Sequence, residues 1–126
     1  MQSTPIHFMT VREQAELLAS GQITSVELTR IFLDRAEALD PPPFSLPSEP
    51  RPDHDGMLAT MVTIARDHAL EAAQRADEEM RAGRRRSILH GIPYGVKDLL
   101  DTNGIRTTWG SGIFADRVPT RNATVI

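Results

Sequence analysis

The sequence contains no cysteine. Disulfide bonds, thiolate catalysis and zinc sites with cysteine ligands are therefore excluded. Histidine is sparse as well, and the four that occur, His7, His54, His68 and His90, are scattered along the chain. His54 has acidic neighbours in "PDHDG", but it lies in proline-rich sequence with no second histidine at helical spacing. A plain loop is a better interpretation of that stretch than a metal site.

Aromatic residues are also few, with one Trp, one Tyr and four Phe among 126 residues. The formal net charge of -3 at pH 7 gives no general attraction for a polyanion. The basic cluster Arg81, Arg84, Arg85 and Arg86 is interpreted as a solvated loop. A nucleic-acid footprint needs a wider stripe of Lys and Arg with aromatic platforms, so direct nucleic-acid binding is not expected.

Long apolar runs are missing too. The start, "MQSTPIHFMT", lacks the basic end and the apolar stretch of a signal peptide, and no later run approaches the roughly 20 residues of a membrane span. A hydrophobic fraction of 40% and a charged fraction of 25% are those of an ordinary soluble domain. We therefore expect a cytoplasmic protein without membrane contact.

Two capping boxes predict a helical hairpin within residues 1–40. Thr10 and Glu13 have the spacing of the first box, and Thr24 and Glu27 repeat it. Gly21 can end the first helix between them, because a glycine tolerates the left-handed backbone of a helix end. The hairpin is expected to pack on something larger.

The second helix of the hairpin is predicted to be amphipathic. Arg30 and Asp34 are expected to pair at i,i+4 on one of its faces. Another face carries the apolar residues Leu28, Ile31, Phe32, Ala36 and Leu39.

The proline-rich segment 41–56 is predicted to be a loop. Its part "PPPFSLPSEPRP" holds six of the nine prolines, which is incompatible with a regular helix or a central strand. After it, "MLATMVT" (57–63) is predicted to be a buried strand. A long helix ended by Gly83 should follow, with one small apolar face made of Ala65, Ala69, Ala72, Ala73, Ala76 and Met80.

The order of elements indicates an α/β fold. A strand-like start in "SILH" leads through the turn-prone "HGIP" into "YGVKDLL", and residues 57–126 are interpreted as the beginning of an α/β core. In an extended segment Lys97 and Asp98 point to opposite faces, so adjacency does not make them an ion pair.

Lys97 lies near the middle of the apolar run "YGVKDLL", where a solvated lysine is out of place. The residues alone leave four interpretations open. The first is an exposed lysine whose stem covers apolar neighbours. The second is a phosphate-binding lysine, although Gly91 and Gly95 lack the spacing of a P-loop. The others are a Schiff-base lysine, for which nothing local argues, and a proton-transfer lysine that burial keeps as a neutral amine near neutral pH.

The segment "LHGIPYGVKDLLDTNGIRTTWGS", continued by "VPTRNATVI", resembles the amidase signature family, which includes amidases and the A subunits of tRNA-dependent amidotransferases. The family pattern has a Leu-His-Gly-Ile-Pro turn, a Val-Lys-Asp segment, paired threonines before Gly-Ser, and an Asp-Ala-Thr-Val-like segment. All but the last match residue for residue, since Asn122 stands where the family usually has Asp. The upstream "ITSVELTRIFLDRAEALD" and "ARDHALEAAQRAD" fit the same resemblance, and the proline-rich loop has the character of an insertion.

The resemblance implies a fold and a mechanism. The fold would be the N-terminal part of an α/β/α structure around a mixed sheet, preceded by the helical hairpin. The mechanism would be amide hydrolysis or transfer by a Ser-Ser-Lys triad, without metal or organic cofactor, and Lys97 matches the lysine. Both serines are expected beyond residue 126. Ser111 follows the paired threonines at a position that is not the nucleophile in the family, and a structural role is expected for it.

Three functions are compatible with this resemblance. The first is an amidase whose partners are a small-molecule amide and the remainder of the amidase domain, the 126-residue chain alone being inactive. The second is the A subunit of a glutamine-dependent tRNA amidotransferase. The third, from another class, is a non-catalytic remnant or interaction module. The coding DNA after Ile126 discriminates the third function from the first two, because only an enzyme needs a Gly-Ser-Ser-Gly-Gly-like segment there.

Overall fold

A computed structural model describes residues 4–39 and 60–126. The predicted loop 41–56 and the first residues of the predicted strand 57–63 lie outside the described residues. The described elements are three α-helices and two single turns of 3-10 helix: a turn at Ile6–Phe8, α1 at Val11–Ala19, α2 at Ser25–Leu39, α3 at Arg66–Arg81 and a turn at Gly112–Phe114.

The chain divides into two compact units. The first unit comprises Met1–Arg35 and Arg66–Tyr94, and it holds α1, α3 and most of α2. The second unit comprises Ala36–Ala65 and Gly95–Ile126, and it contains Lys97. The sequence suggests a different division, at the proline-rich segment.

Helix α1 begins and ends as the sequence predicts. Thr10 and Glu13 form the capping box: the Glu13 amide donates to Thr10 Oγ1 at 3.3 Å, and the Glu13 carboxylate accepts from the Thr10 amide at 2.6 Å. At the other end Gly21 has a φ of +70°, and its amide donates to the carbonyl of Leu18. Part of the free backbone groups at each helix end is therefore satisfied locally.

Helix α2 has two sets of caps, of which the sequence reveals one. The predicted box is present, since the Thr24 amide donates to Glu27 at 2.8 Å and the Glu27 amide donates to Thr24 Oγ1 at 3.1 Å. In addition, the carboxylate of Asp77 in α3 accepts from the amides of Ser25 at 2.7 Å and Val26 at 3.1 Å. Asp77 is only 6% exposed. A buried carboxylate thus ties the start of α2 to α3.

The apolar core of the first unit is small. It consists of Ala15, Leu18, Leu28 and Ala73. The predicted alanine face of α3 is only partly correct, because Ala69 and Ala76 are half-buried and Ala72 is exposed. The predicted i,i+4 pair within α2 is wrong: Asp34 pairs with Arg66 at the start of α3, and not with Arg30.

Gly83 ends α3 as predicted. It has a φ of +72°, its amide donates to the Met80 carbonyl, and the following Arg84 amide donates to the Glu79 carbonyl. This bond pattern is a Schellman motif. The arginines after it are exposed, and the Arg86 guanidinium is paired with Glu79.

Residues 4–39 and 60–126 contain no β-strand. Within them the end of the predicted strand "MLATMVT" is irregular, and the run "YGVKDLL" has no regular structure as far as Lys97 and then turns. A strand exists only where a neighbouring strand supplies its ladder bonds. The α/β fold class therefore stays a prediction.

None of the described helices combines the length and the apolar character that crossing a bilayer requires.

Candidate active site

Lys97 lies where an irregular segment becomes a tight turn. Residues 92–97 carry no regular structure, and the Lys97 carbonyl then accepts from the Leu100 amide at 2.9 Å. The side chain of Lys97 is exposed, and its amine has no hydrogen-bond or ion-pair partner among the described residues. Among the described residues, the position of the Lys97 side chain is therefore restrained only through its backbone.

Asp98 is bound to the segment 108–110 by four hydrogen bonds. Its carboxylate accepts from the Thr108 amide at 2.9 Å, from Thr108 Oγ1, and from the Gly110 amide at 3.2 Å. Its main-chain carbonyl accepts from the Trp109 amide at 3.1 Å. We call Asp98, Thr108, Trp109 and Gly110 the Asp98 clamp. Both the main chain and the side chain next to Lys97 are thereby fixed.

The Asp98 clamp also favours the ionised form of its carboxylate. Partial burial of Asp98 acts to raise its pKa, and the hydrogen bonds from Thr108 Oγ1, the Thr108 amide and the Gly110 amide act to lower it, helped by the charge of Arg106. The bonds outweigh the burial, so the pKa of Asp98 lies below its ordinary value. Three donors thus converge on a carboxylate that has the acceptors to satisfy them.

Asp101 holds a second part of the same unit together. The Arg117 guanidinium donates to both of its oxygens, at 2.8 and 2.6 Å, and Trp109 Nε1 donates to it at 3.1 Å. These contacts, led by the bond from Arg117, lower the pKa of Asp101. The guanidinium also lies 4.0 Å from the centroid of the Trp109 ring. Such a bidentate, stacked arrangement suits arginine and would not suit lysine.

Trp109 has a strained backbone between the two carboxylates. Its φ of +55° is in the left-handed region, which is uncommon for a bulky residue. Its ring makes an edge contact with Phe114, with centroids 5.0 Å apart. The strain is compensated by the bonds of the Trp109 amide and indole to Asp98 and Asp101.

Comparison with known proteins identifies the family to which the chain belongs. The family model for amidases matches residues 53–126, more than half of the chain, and this range includes Lys97, the Asp98 clamp and Asp101. The chain belongs to the amidase family. The resemblance seen in the sequence is confirmed.

Amidase-family relatives extend the similarity to almost all of the chain. It is 39% identical over 123 residues to the A subunit of glutamyl-tRNA(Gln) amidotransferase from Chloroflexus aggregans, a match that covers 98% of this chain and 22% of that relative. The proteins of the same name from Desulforapulum autotrophicum and Marinobacter nauticus are each 38% identical, over 121 and 120 residues, covering 96% and 95% of this chain and 21% of each relative. The chain thus spans about a fifth of the length of the curated relatives it matches.

The His-Gly turn of the family pattern has a structural role in this amidase chain. His90 is buried: its Nδ1 faces the Arg86 amide at 3.3 Å and its Nε2 faces the Ala76 carbonyl at 3.2 Å. An amide can only donate and a carbonyl can only accept, so Nε2 carries the proton. Gly91 has a φ of +86°, and its carbonyl accepts from the buried Ser25 hydroxyl at 2.8 Å.

Asn122, a further position of the amidase pattern, also makes a local structural contact. Its Oδ1 accepts from the Asn103 amide at 2.7 Å. This bond needs only an acceptor oxygen, which the Asp usual in the family would also supply. The Ser111 amide donates to the Thr108 carbonyl, and Ser111 precedes the turn Gly112–Phe114 without a side-chain cap bond. The structural role expected for Ser111 stays a prediction.

Sequence reasoning selected Lys97 but missed Asp98 and Asp101 as the residues that organise its surroundings. A further signal was available for Lys97: it is the only lysine among the 14 Lys and Arg residues. Arginine remains protonated at any accessible pH, whereas lysine can give up its proton. Lys97 is therefore the one residue among these 14 whose side chain can become a neutral amine.

Proposed function

We propose that the complete protein cleaves the C–N bond of amides, with Lys97 as its proton carrier. The family match over residues 53–126 supports this most directly, because it includes the segment that carries Lys97. The single use of lysine in the sequence supports it independently. No metal or organic cofactor takes part in the proposal.

In the proposed reaction Lys97 acts through a bridging serine. As a neutral amine it takes the proton of a nucleophilic serine by way of the bridging hydroxyl, while the serine oxygen attacks the amide carbonyl. The C–N bond then breaks, the proton passes to the leaving amine, and water hydrolyses the acyl-serine by the same route in reverse. Both serines are expected outside residues 1–126.

The proposal requires Lys97 to be removed from water, because desolvation favours a neutral amine. We propose that the remainder of the amidase domain covers it. Large apolar side chains of the second unit are exposed and would be covered with it: Val96, Leu99, Trp109, Ile113, Phe114 and Val118. Surface of this kind is typical of an interface or of a core that other elements complete.

A second candidate is the A subunit of a glutamine-dependent tRNA amidotransferase. It is favoured by the relatives, whose names describe such a component and which match 95–98% of this chain. The amide cleaved would then be that of glutamine, and the ammonia would pass to an acceptor bound by another component of the complex. The cytoplasmic location expected from the sequence fits both candidates and stays a prediction.

The test is an assay of ammonia release by the complete protein on glutamine and on a set of small aliphatic and aromatic amides. Turnover of the small amides supports an independent amidase, and turnover restricted to glutamine supports the second candidate. Reading the coding DNA after Ile126 decides the remaining alternative. A stop codon directly after Ile126, together with no turnover of any amide, would leave a non-catalytic interaction module.

A further inference from the structure

The Asp98 clamp is more extensive than a turn between two loops requires. Both oxygens of the carboxylate and the main-chain carbonyl are bound, and all the donors come from residues 108–110. Thr108 is almost completely buried and supplies two of the four bonds. The residue directly after Lys97 is therefore among the most firmly bound in the second unit.

We propose that Asp98 and Thr108 are positioning residues for Lys97. This inference rests on the proposed role of Lys97 in proton transfer. Neither residue is proposed to touch the substrate. They hold the backbone on which Lys97 stands, so that its amine meets the bridging serine in one geometry.

The physical reason lies in the flexibility of lysine. Its long stem has four rotatable bonds, and in the described part of the chain no partner holds its amine. The Cα–Cβ direction of Lys97 is then the main constraint on where its amine can reach. The turn bond from the Leu100 amide to the Lys97 carbonyl and the Asp98 clamp both hold the main chain on the C-terminal side of the Lys97 Cα, and together they restrain this direction. A displacement of about 1 Å in a reacting group can reduce a rate by roughly 10²-fold.

The neighbouring threonine provides a matched control. Thr107 and Thr108 are both buried, and each hydroxyl donates one hydrogen bond. The Thr107 hydroxyl donates to the Ile105 carbonyl two residues away, whereas the Thr108 hydroxyl donates to Asp98 ten residues away. The Thr108 hydroxyl also accepts from the Gly110 amide at 3.2 Å, so its removal should cost more stability than removal of the Thr107 hydroxyl, and only the loss at Thr108 loosens the clamp beside Lys97.

The experiment compares Thr108→Val, Thr108→Ser and Thr107→Val in the complete protein, measuring kcat and KM for the amide that is turned over fastest. We expect Thr108→Val to lower kcat by about 10-fold or more with little change in KM, because it disturbs the reacting geometry and leaves substrate binding intact. Thr108→Ser keeps the hydroxyl and should restore most of kcat. Thr107→Val should keep kcat within about twofold of wild type.

A second experiment tests the Asp98 clamp by hydrogen exchange and does not depend on catalytic activity. Hydrogen exchange of the Thr108 and Gly110 amides should accelerate in Asp98→Asn, because the neutral amide side chain accepts these bonds less well than a carboxylate. Unchanged exchange would show that the Asp98 clamp does not hold this segment and would overturn the inference. The variant Thr108→Ser remains informative if Thr108→Val folds poorly.

Lys97→Ala separates the inference from the proposed function. If Lys97→Ala is inactive while Thr108→Val turns over like wild type, the positioning role is wrong and the proposed function stands. Equal loss in Thr107→Val and Thr108→Val would also overturn it, since packing would then explain both. If Lys97→Ala itself keeps wild-type kcat, the proposed function fails. The inference is supported if Thr108→Val causes no further loss of kcat when it is combined with Lys97→Ala, as expected for residues that act as one unit.

Discussion

Two carboxylates of the second unit, Asp98 and Asp101, are held by different kinds of hydrogen-bond donor. Asp98 accepts from two amides and a hydroxyl, whereas Asp101 is paired with the Arg117 guanidinium. In both cases the donors favour the charged carboxylate. The second unit thus depends on ionised aspartates for its local structure.

This dependence predicts how Asp98 and Asp101 respond to acid. Both pKa values lie below the ordinary value, which is about 3.9 for an unfolded Asp. Because the folded pKa is the lower one, the stability that each carboxylate contributes is present above the unfolded pKa and is lost as the pH falls through the folded pKa. Carbon-13 NMR of the side-chain carboxyls should show both groups titrating below their midpoints in urea. A midpoint at or above the urea value for Asp98 would show that burial outweighs its hydrogen bonds.

The sequence points to Lys97 as a candidate site residue, but it does not reveal the contacts around it. A lysine in an apolar run attracts attention by itself, and the amidase motif around it is contiguous. The partners of Asp98 and Asp101 lie 8 to 16 residues further along, outside the α-helices. No periodic pattern relates residues across such loops, so the sequence indicates no partner for either carboxylate.

At the scale of elements, local signals were reliable. Both capping boxes and both glycine helix ends were predicted correctly, because each depends on residues within six positions of one another. The cap that Asp77 provides for α2 was missed, since it comes from 51–52 residues away. In the sequence, Asp77 looks like one more charged residue on the polar face of α3.

The turn after His90 allows a test at this scale. A Cβ on Gly91 would lie 3.1 Å from Met80 Cε and 3.2 Å from Ser25 Cβ, whereas a Cβ on Gly83 would have no atom within 4 Å. Both glycines have a left-handed backbone, which costs about 1–2 kcal/mol for an alanine. We expect Gly91→Ala to lower the free energy of unfolding more than Gly83→Ala does, as measured by urea denaturation. Equal losses of unfolding free energy would mean that Met80 and Ser25 move away from the new Cβ at no energetic cost. Backbone strain would then account for both losses.

At the scale of the whole molecule, the two units differ in what stabilises them. The first unit has a small apolar core made by α1, α2 and α3. Among the described residues of the second unit, Thr107, Thr108 and Pro119 are buried, while large apolar side chains such as Leu99 and Ile113 are exposed. Hydrogen bonds and an ion pair therefore contribute most of the visible order around Lys97. This distribution supports the proposal that further parts of an amidase domain cover the second unit.

The role of Lys97 is tested most directly by Lys97→Arg in the complete protein. Arginine keeps the positive charge and most of the stem, but it stays protonated at any accessible pH and cannot accept a proton. We predict that Lys97→Arg loses kcat as fully as Lys97→Ala does, by about 10²–10⁴-fold, while both variants remain folded. Arg84→Lys, a similar exchange at an exposed arginine, serves as the control and should keep wild-type kcat. Near wild-type turnover by Lys97→Arg would contradict the assignment of Lys97 as the proton carrier.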